Sequence, residues 1–319
     1  MRFRERLPQV TGDDFFLTDS GMETQFIFLD GIELPEFASF DLLKREDGEA
    51  TLRRYYQTYV AMAEKFRTGL VLESPTWRAN ADWGARLGYG AKELAGANQR
   101  AIALLEGLRD EFRGEGKVVI SGCLGPRGDG YVPTNMMTET DAEQYHAEQI
   151  RTFADSAADM VAAFTINYVD EAIGITRAAE RFGMPVAISF TVETDGRLPS
   201  GQTLRTAIEQ VDSATSDYPA YYMLNCAHPT HFDRVLVGGE AWTQRIRGLR
   251  ANASQKSHAE LNESSELDIG DPADLGARHA DLKRRMPQLN VLGGCCGTDH
   301  RHVEQIAVAC SPLFPRRGY

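Results

Sequence analysis

Eight short apolar runs recur along the chain, and stretches with helical spacing lie between them. The runs are residues 15–21, 69–76, 117–125, 159–167, 185–192, 220–227, 246–254 and 289–297. Most are continuous rather than alternating, as in "GLVLESPT" and "PVAISFTV". Such runs suit strands covered on both faces, the condition of a parallel sheet. After the first run, "EATLRRYYQTYVAMAEKF" sets Leu52, Tyr55, Tyr56, Tyr59, Met62, Ala63 and Phe66 on one helical stripe. "DAEQYHAEQIRTFADSA" opens on Asp141, a residue suited to an N-cap, and "DEAIGITRAAERFG" ends on Gly183, suited to a C-terminal stop. "HRHVEQIAVAC" follows the last run.

Eight strand-then-helix units predict an α/β protein, a single (β/α)8 barrel of the TIM type with residues 1–319 as one domain. The rival is an open doubly wound sheet. The lack of a phosphate-binding glycine loop after the first run weighs against it. Two irregular stretches, 125–140 and the acidic 254–275, follow the third and seventh runs. Barrel enzymes carry their chemistry at such strand ends.

Composition narrows the function classes. Hydrophobic residues make up 42% and charged residues 25%, as in a globular chain. A net charge of −12 argues against nucleic acid, whose phosphates need a basic face. No run approaches the ~20 apolar residues of a membrane span. The opening "MRFRERLPQV" has no apolar signal core, so the expected location is cytoplasmic. The five cysteines are unevenly spaced, which makes a poor disulfide framework and turns attention to metal or catalytic use.

Cys226 ends the sixth run in "LNCAHP", and Cys295 and Cys296 end the eighth in "LGGCCG". In a barrel those strand ends share one rim, two strand positions apart. Three thiols there suit a soft divalent ion, above all Zn2+. Gly293, Gly294 and Gly297 would free the backbone to aim the adjacent pair inward. Three ligands leave one tetrahedral position for a substrate thiol, which would lose its proton and attack an electrophilic carbon. A redox pair, or a closed structural zinc with His228 as fourth ligand, are the competing readings. Cys123 and Cys310 read as core packing.

"DSGMETQF", "GP" after the third run, "LNCAHP" and "LGGCCGT" occur in the order found in the homocysteine S-methyltransferase family, which this chain resembles over nearly its whole length. The resemblance implies a (β/α)8 barrel with zinc on Cys226, Cys295 and Cys296. It also implies methyl transfer from a small sulfonium, betaine-type or similar donor to the thiolate of homocysteine, giving methionine. The implied partners are a small-molecule thiol acceptor and a methyl donor, and homo-oligomers stay open. Asp19, Ser20 and Gly21 stand where the family has "DGG" and would help hold the amino acid. Asn252 matches a family asparagine near the metal, and Asn225 and Thr298 would orient the ligands. Trp77 is placed to shape the pocket or to face a cationic donor.

One position departs from the family. "FTINYVDEA" aligned on Glu171–Ala172 puts Phe164 where the family has the glutamate that receives the substrate ammonium. A phenyl ring offers only a cation–π contact. Either Asp19, Glu73 or Glu193 holds the amine, or the acceptor is another small thiol or selenol. A non-catalytic barrel that stores zinc or senses oxidation is the third reading.

Overall fold

The computed structural model of the chain describes residues 1–315. Its eight strands are β1 (Phe16–Leu17), β2 (Gly69–Glu73), β3 (Val118–Leu124), β4 (Met160–Ile166), β5 (Val186–Phe190), β6 (Tyr221–Asn225), β7 (Ile246–Ala251) and β8 (Val291–Gly294). Each lies inside the apolar run that predicts it. All pair in parallel and in order, and β8 closes on β1. The fold is therefore a (β/α)8 barrel.

Side-chain parity follows from the pleat. Phe16, Val71, Val119, Met160, Ala162, Tyr221, Met223 and Val291 form one cluster that fills the lumen. Their neighbours Leu17, Leu70, Leu72, Ile120, Val161, Leu224 and Leu292 point outward and pack beneath the helices. Helix Gly48–Phe66 meets this layer with the predicted stripe, in which Leu52, Tyr55, Tyr56, Tyr59, Met62 and Ala63 are buried. A side chain of the size of Leu52 or Met62 contributes about 1.5–3 kcal/mol when fully buried.

Long helices follow β1, β2, β3, β4, β5, β7 and β8. The sixth crossover departs from the predicted pattern, with only the one-turn helices Pro229–Phe232 and Ala241–Gln244 between β6 and β7. The segment is short, and Gly238–Gly239 interrupts it. One cap also differs from expectation. Thr138, not Asp141, caps helix Glu139–Ala154, its hydroxyl accepting the Asp141 N–H at 3.2 Å. Asp141 still sits in the first turn, where a carboxylate favours the helix dipole. Gly183 takes φ 63° just past helix Val169–Arg181, the stop its position predicts.

The N-terminal segment closes the floor of the barrel, with Leu7 packed into the lumen cluster. The parity that turns Val71 inward also places Glu73 inward, two residues on, at the open end of β2. No helix among the described residues is long and apolar enough to cross a membrane.

Candidate active site

Cys226, Cys295 and Cys296 meet at the open rim, their sulfurs within 4.8 Å of one another. The Cys226 and Cys295 sulfurs are in disulfide contact, and the Cys296 sulfur lies 3.8 Å from that of Cys226. A disulfide and a metal held by the same sulfurs are alternative states of one cluster. Among the described residues no histidine or carboxylate joins the group. His228, weighed above as a fourth ligand, instead caps helix Pro229–Phe232, its Nδ1 2.8 Å from the Thr230 hydroxyl. Burial pushes the Cys296 thiol up to about 11.

The backbone at the cluster is locally strained. Cys226 and Thr165 take φ of 53° and 61°, a region uncommon for any residue but glycine and most costly for a β-branched one such as Thr165. Asn225 holds this geometry. Its side-chain oxygen accepts the Thr165 N–H at 2.8 Å and the Ser189 hydroxyl at 2.7 Å. Its amide donates to the Thr165 hydroxyl at 2.8 Å and lies 3.9 Å from the Cys295 sulfur. Thr298 donates to the Cys295 carbonyl at 2.6 Å and accepts the Gly21 N–H at 3.3 Å. Asn252 donates to the Cys226 carbonyl at 3.0 Å.

The glycines act differently from the expectation. Gly293 and Gly294 do not adopt positive φ. They are small because a Cβ on Gly293 would strike the Thr18 hydroxyl, and one on Gly294 the Thr298 hydroxyl. Only Gly297 uses the left-handed region, at φ 77°.

The cluster borders a cavity of about 400 Å³, also lined by Asp19, Ser20, Gly21, Glu73, Trp77 and Phe164. Asp19 is buried, 2.5 Å from the Arg250 guanidinium, and accepts the Tyr55 hydroxyl at 3.0 Å. Burial raises its pKa, and Arg250 opposes that rise. The Ser20 hydroxyl meets those of Tyr55 and Tyr59. Trp77 donates its indole N–H to the Phe164 carbonyl at 3.2 Å and stacks on Arg78, whose guanidinium also lies 3.7 Å from the Trp83 ring centre. Glu193 is not on the cavity wall. Its carboxylate pairs with His258 at 3.0 Å.

Several residues at the site were not singled out from the sequence. Arg250 donates to the Gly294 and Ser20 carbonyls, both at 3.0 Å, tying β7 to the loops after β1 and β8. A charged residue inside an apolar run was its available signal. His258, from the acidic stretch after β7, reaches the Cys226 carbonyl at 2.6 Å and stacks on Tyr131 with ring centres 4.3 Å apart. The Tyr131 hydroxyl lies 3.9 Å from the Cys296 sulfur. The two irregular stretches thus meet beside the cluster, and no local pattern announces that contact.

The family model for homocysteine S-methyltransferase matches residues 16–310. The chain belongs to the homocysteine S-methyltransferase family, a family of methyltransferase enzymes. It is 23% identical to betaine–homocysteine S-methyltransferase 1 of Rattus norvegicus over 252 residues, 72% of this chain and 57% of that protein. It is 25% identical to methionine synthase of Mycobacterium leprae over 240 residues, 69% of this chain and 18% of that protein. The match therefore spans little more than half of the first relative and under a fifth of the second. The homocysteine methyltransferase MmuM from Escherichia coli, in its oxidized form, superposes with a TM-score of 0.72 at 15% identity. That match covers 93% of this chain and 96% of the other, and it shows a shared fold. The metallated form of the same enzyme gives 0.70.

Proposed function

We propose that this chain is a zinc-dependent S-methyltransferase that moves a methyl group from a small sulfonium or betaine-type donor to homocysteine. The observation that carries the reading is three cysteine sulfurs within 4.8 Å of one another, beside a cavity of about 400 Å³. Three soft donors with no protein carboxylate or imidazole among them fit zinc with one place left for a ligand. Bound zinc would supply acidification of the acceptor thiol at neutral pH.

The chain's own residues supply the rest. Asn225, Asn252 and Thr298 fix the backbone that carries the cysteines, and Arg250 braces the same rim from β7. The half-enclosed cavity holds the two substrates together, and alignment of that kind is worth on the order of 7 kcal/mol. Phe164 favours a second reading, the same chemistry on another small thiol or selenol, because it lines the cavity with an apolar ring.

Metal content after reduction and zinc loading tests the site, compared between wild type and the Cys226→Ser and Cys296→Ser variants. About one zinc per chain is expected in wild type, falling well below half in each variant. Methyl transfer to homocysteine is then assayed with a panel of sulfonium and betaine donors. Unchanged zinc in both variants defeats the metal assignment. Turnover only with other thiols selects the second reading.

A further inference from the structure

Five carboxylates line the cavity, those of Asp19, Glu23, Glu36, Glu73 and Asp129. Four of them are engaged. Asp19 is held by Arg250 and Tyr55. Glu23 accepts the Ser39 hydroxyl at 2.7 Å. Asp129 accepts the backbone N–H groups of Tyr131 and Val132 at 2.7 and 3.0 Å. Glu36 is exposed at the mouth, 3.7 Å from Arg86.

Glu73 is different. It is only 3% exposed, and neither carboxylate oxygen meets a donor in hydrogen-bond geometry, although the Ser121 hydroxyl faces it. A buried carboxylate left without partners is costly. Burial pushes its pKa up to about 7, although the charge of Arg250, itself paired with Asp19, acts to lower it. A ligand cation would remove that cost, and an ammonium brings three donors to two empty acceptors. Strand β4 offers no such acceptor. Phe164 fills its rim position, and the Arg250 guanidinium lies 5.1 Å from the ring centre.

We propose that Glu73 receives the ammonium group of an amino-acid acceptor whose thiol reaches the cysteine cluster. This rests on the acceptor reading given above. Glu73 closes β2, two strand positions from the β8 end that carries Cys295 and Cys296. A short amino-acid side chain would run between the two anchors, with sulfur at one end and nitrogen at the other.

Titration calorimetry on the reduced, zinc-loaded protein tests this, with homocysteine and with 4-mercaptobutanoate, the same thiol without its amine. Wild type should bind homocysteine at least about thirtyfold more tightly than 4-mercaptobutanoate, since breaking a buried charge pair costs roughly that much or more. Glu73→Gln keeps the shape and removes a buried charge, so it should fold and keep its zinc. It should lose at least about thirtyfold for homocysteine and stay within about threefold for 4-mercaptobutanoate. Undiminished homocysteine binding by Glu73→Gln overturns the assignment alone. So does an equal loss for both thiols, which would make Glu73 structural. If zinc-loaded wild type binds neither thiol, the acceptor reading fails and takes this inference with it.

Discussion

The floor and the rim of the barrel each bury a carboxylate at a strand end, and the two are treated in opposite ways. At the floor, Asp159 precedes β4 and is fully buried. It accepts four hydrogen bonds: from the Arg2 N–H at 2.6 Å, the Phe3 N–H at 2.9 Å, the Ile120 N–H at 3.0 Å and the Arg109 guanidinium at 2.8 Å. At the rim, Glu73 ends β2 with neither oxygen bonded. Asp159 is completed by the protein and fastens the N-terminal segment and helix Ala91–Glu111 to the sheet. Glu73 is incomplete without something from outside. Glu73 stands apart because both of its oxygens are unbonded and it faces the cavity, whereas Asp159 is bonded on both oxygens and faces none.

The sharpest way to break this contrast is to damage both ends and compare readouts. Asp159→Ala leaves the buried Arg109 with only the Glu106 carboxylate, 3.7 Å away, and should cost roughly 3–5 kcal/mol of stability, read by denaturant unfolding. Cys226→Ser should abolish most zinc binding while changing the stability of the metal-free, reduced protein by less than about 1 kcal/mol. Similar stability losses at both ends would erase the distinction.

The next effect is pH-dependent. Burial raises Glu73 from an ordinary 4.5 to about 7. Between those values the folded state binds more protons than the unfolded state, so stability falls as pH rises. Below pH 4.5 the group is neutral in both states and the penalty is absent. Above pH 7 the penalty is complete, about 3 kcal/mol for a shift of this size. Glu73→Gln should therefore gain stability relative to wild type across pH 4.5 to 7 and hold the gain above it, in protein free of thiol ligand. Unfolding curves at pH 4 and pH 8 check this. A gap that is the same at both pH values refutes it.

The two ends also differ in how far residue order discloses them. All eight strands are legible because a parallel barrel demands continuous apolar runs, and these stand out from the polar helix faces. The three cysteines are legible because each ends such a run, and strand ends of a barrel share a rim. The choice among Asp19, Glu73 and Glu193 is not legible. It turns on Arg250 occupying Asp19 and on His258 occupying Glu193, contacts made across the sheet and between loops. The reduced sixth crossover, by contrast, leaves a local mark, since Gly238–Gly239 breaks any helix drawn through "HFDRVLVGGEAW".

Asn225 tests the link between rim geometry and stability. Its truncation to Ala strands the Thr165 N–H and the Ser189 hydroxyl, at about 1–3 kcal/mol for buried groups left without partners. Zinc affinity should fall by about tenfold or more, as for other residues that orient metal ligands. Competition with a chromogenic chelator measures it. Unchanged affinity would mean that the cysteines hold their geometry without β4.

The smallest effect belongs to His258, and it separates the cavity wall from what lies over it. Its imidazole bonds the Cys226 carbonyl and Glu193 and stacks on Tyr131. Its imidazole is well covered, yet it is carried by the one-turn helix His258–Asn262, none of whose residues is buried as a whole. A contact of that kind carries little of the global stability, so His258→Ala should cost less than about 1 kcal/mol. Because the imidazole ties the stretch after β7 to the stretch after β3, its loss should free both. Hydrogen exchange should rise at residues 129–134 and 257–262 and stay unchanged at the floor around Asp159. If exchange rises equally at both ends, the loops over the cysteines are part of the barrel's cooperative core and not a separate layer.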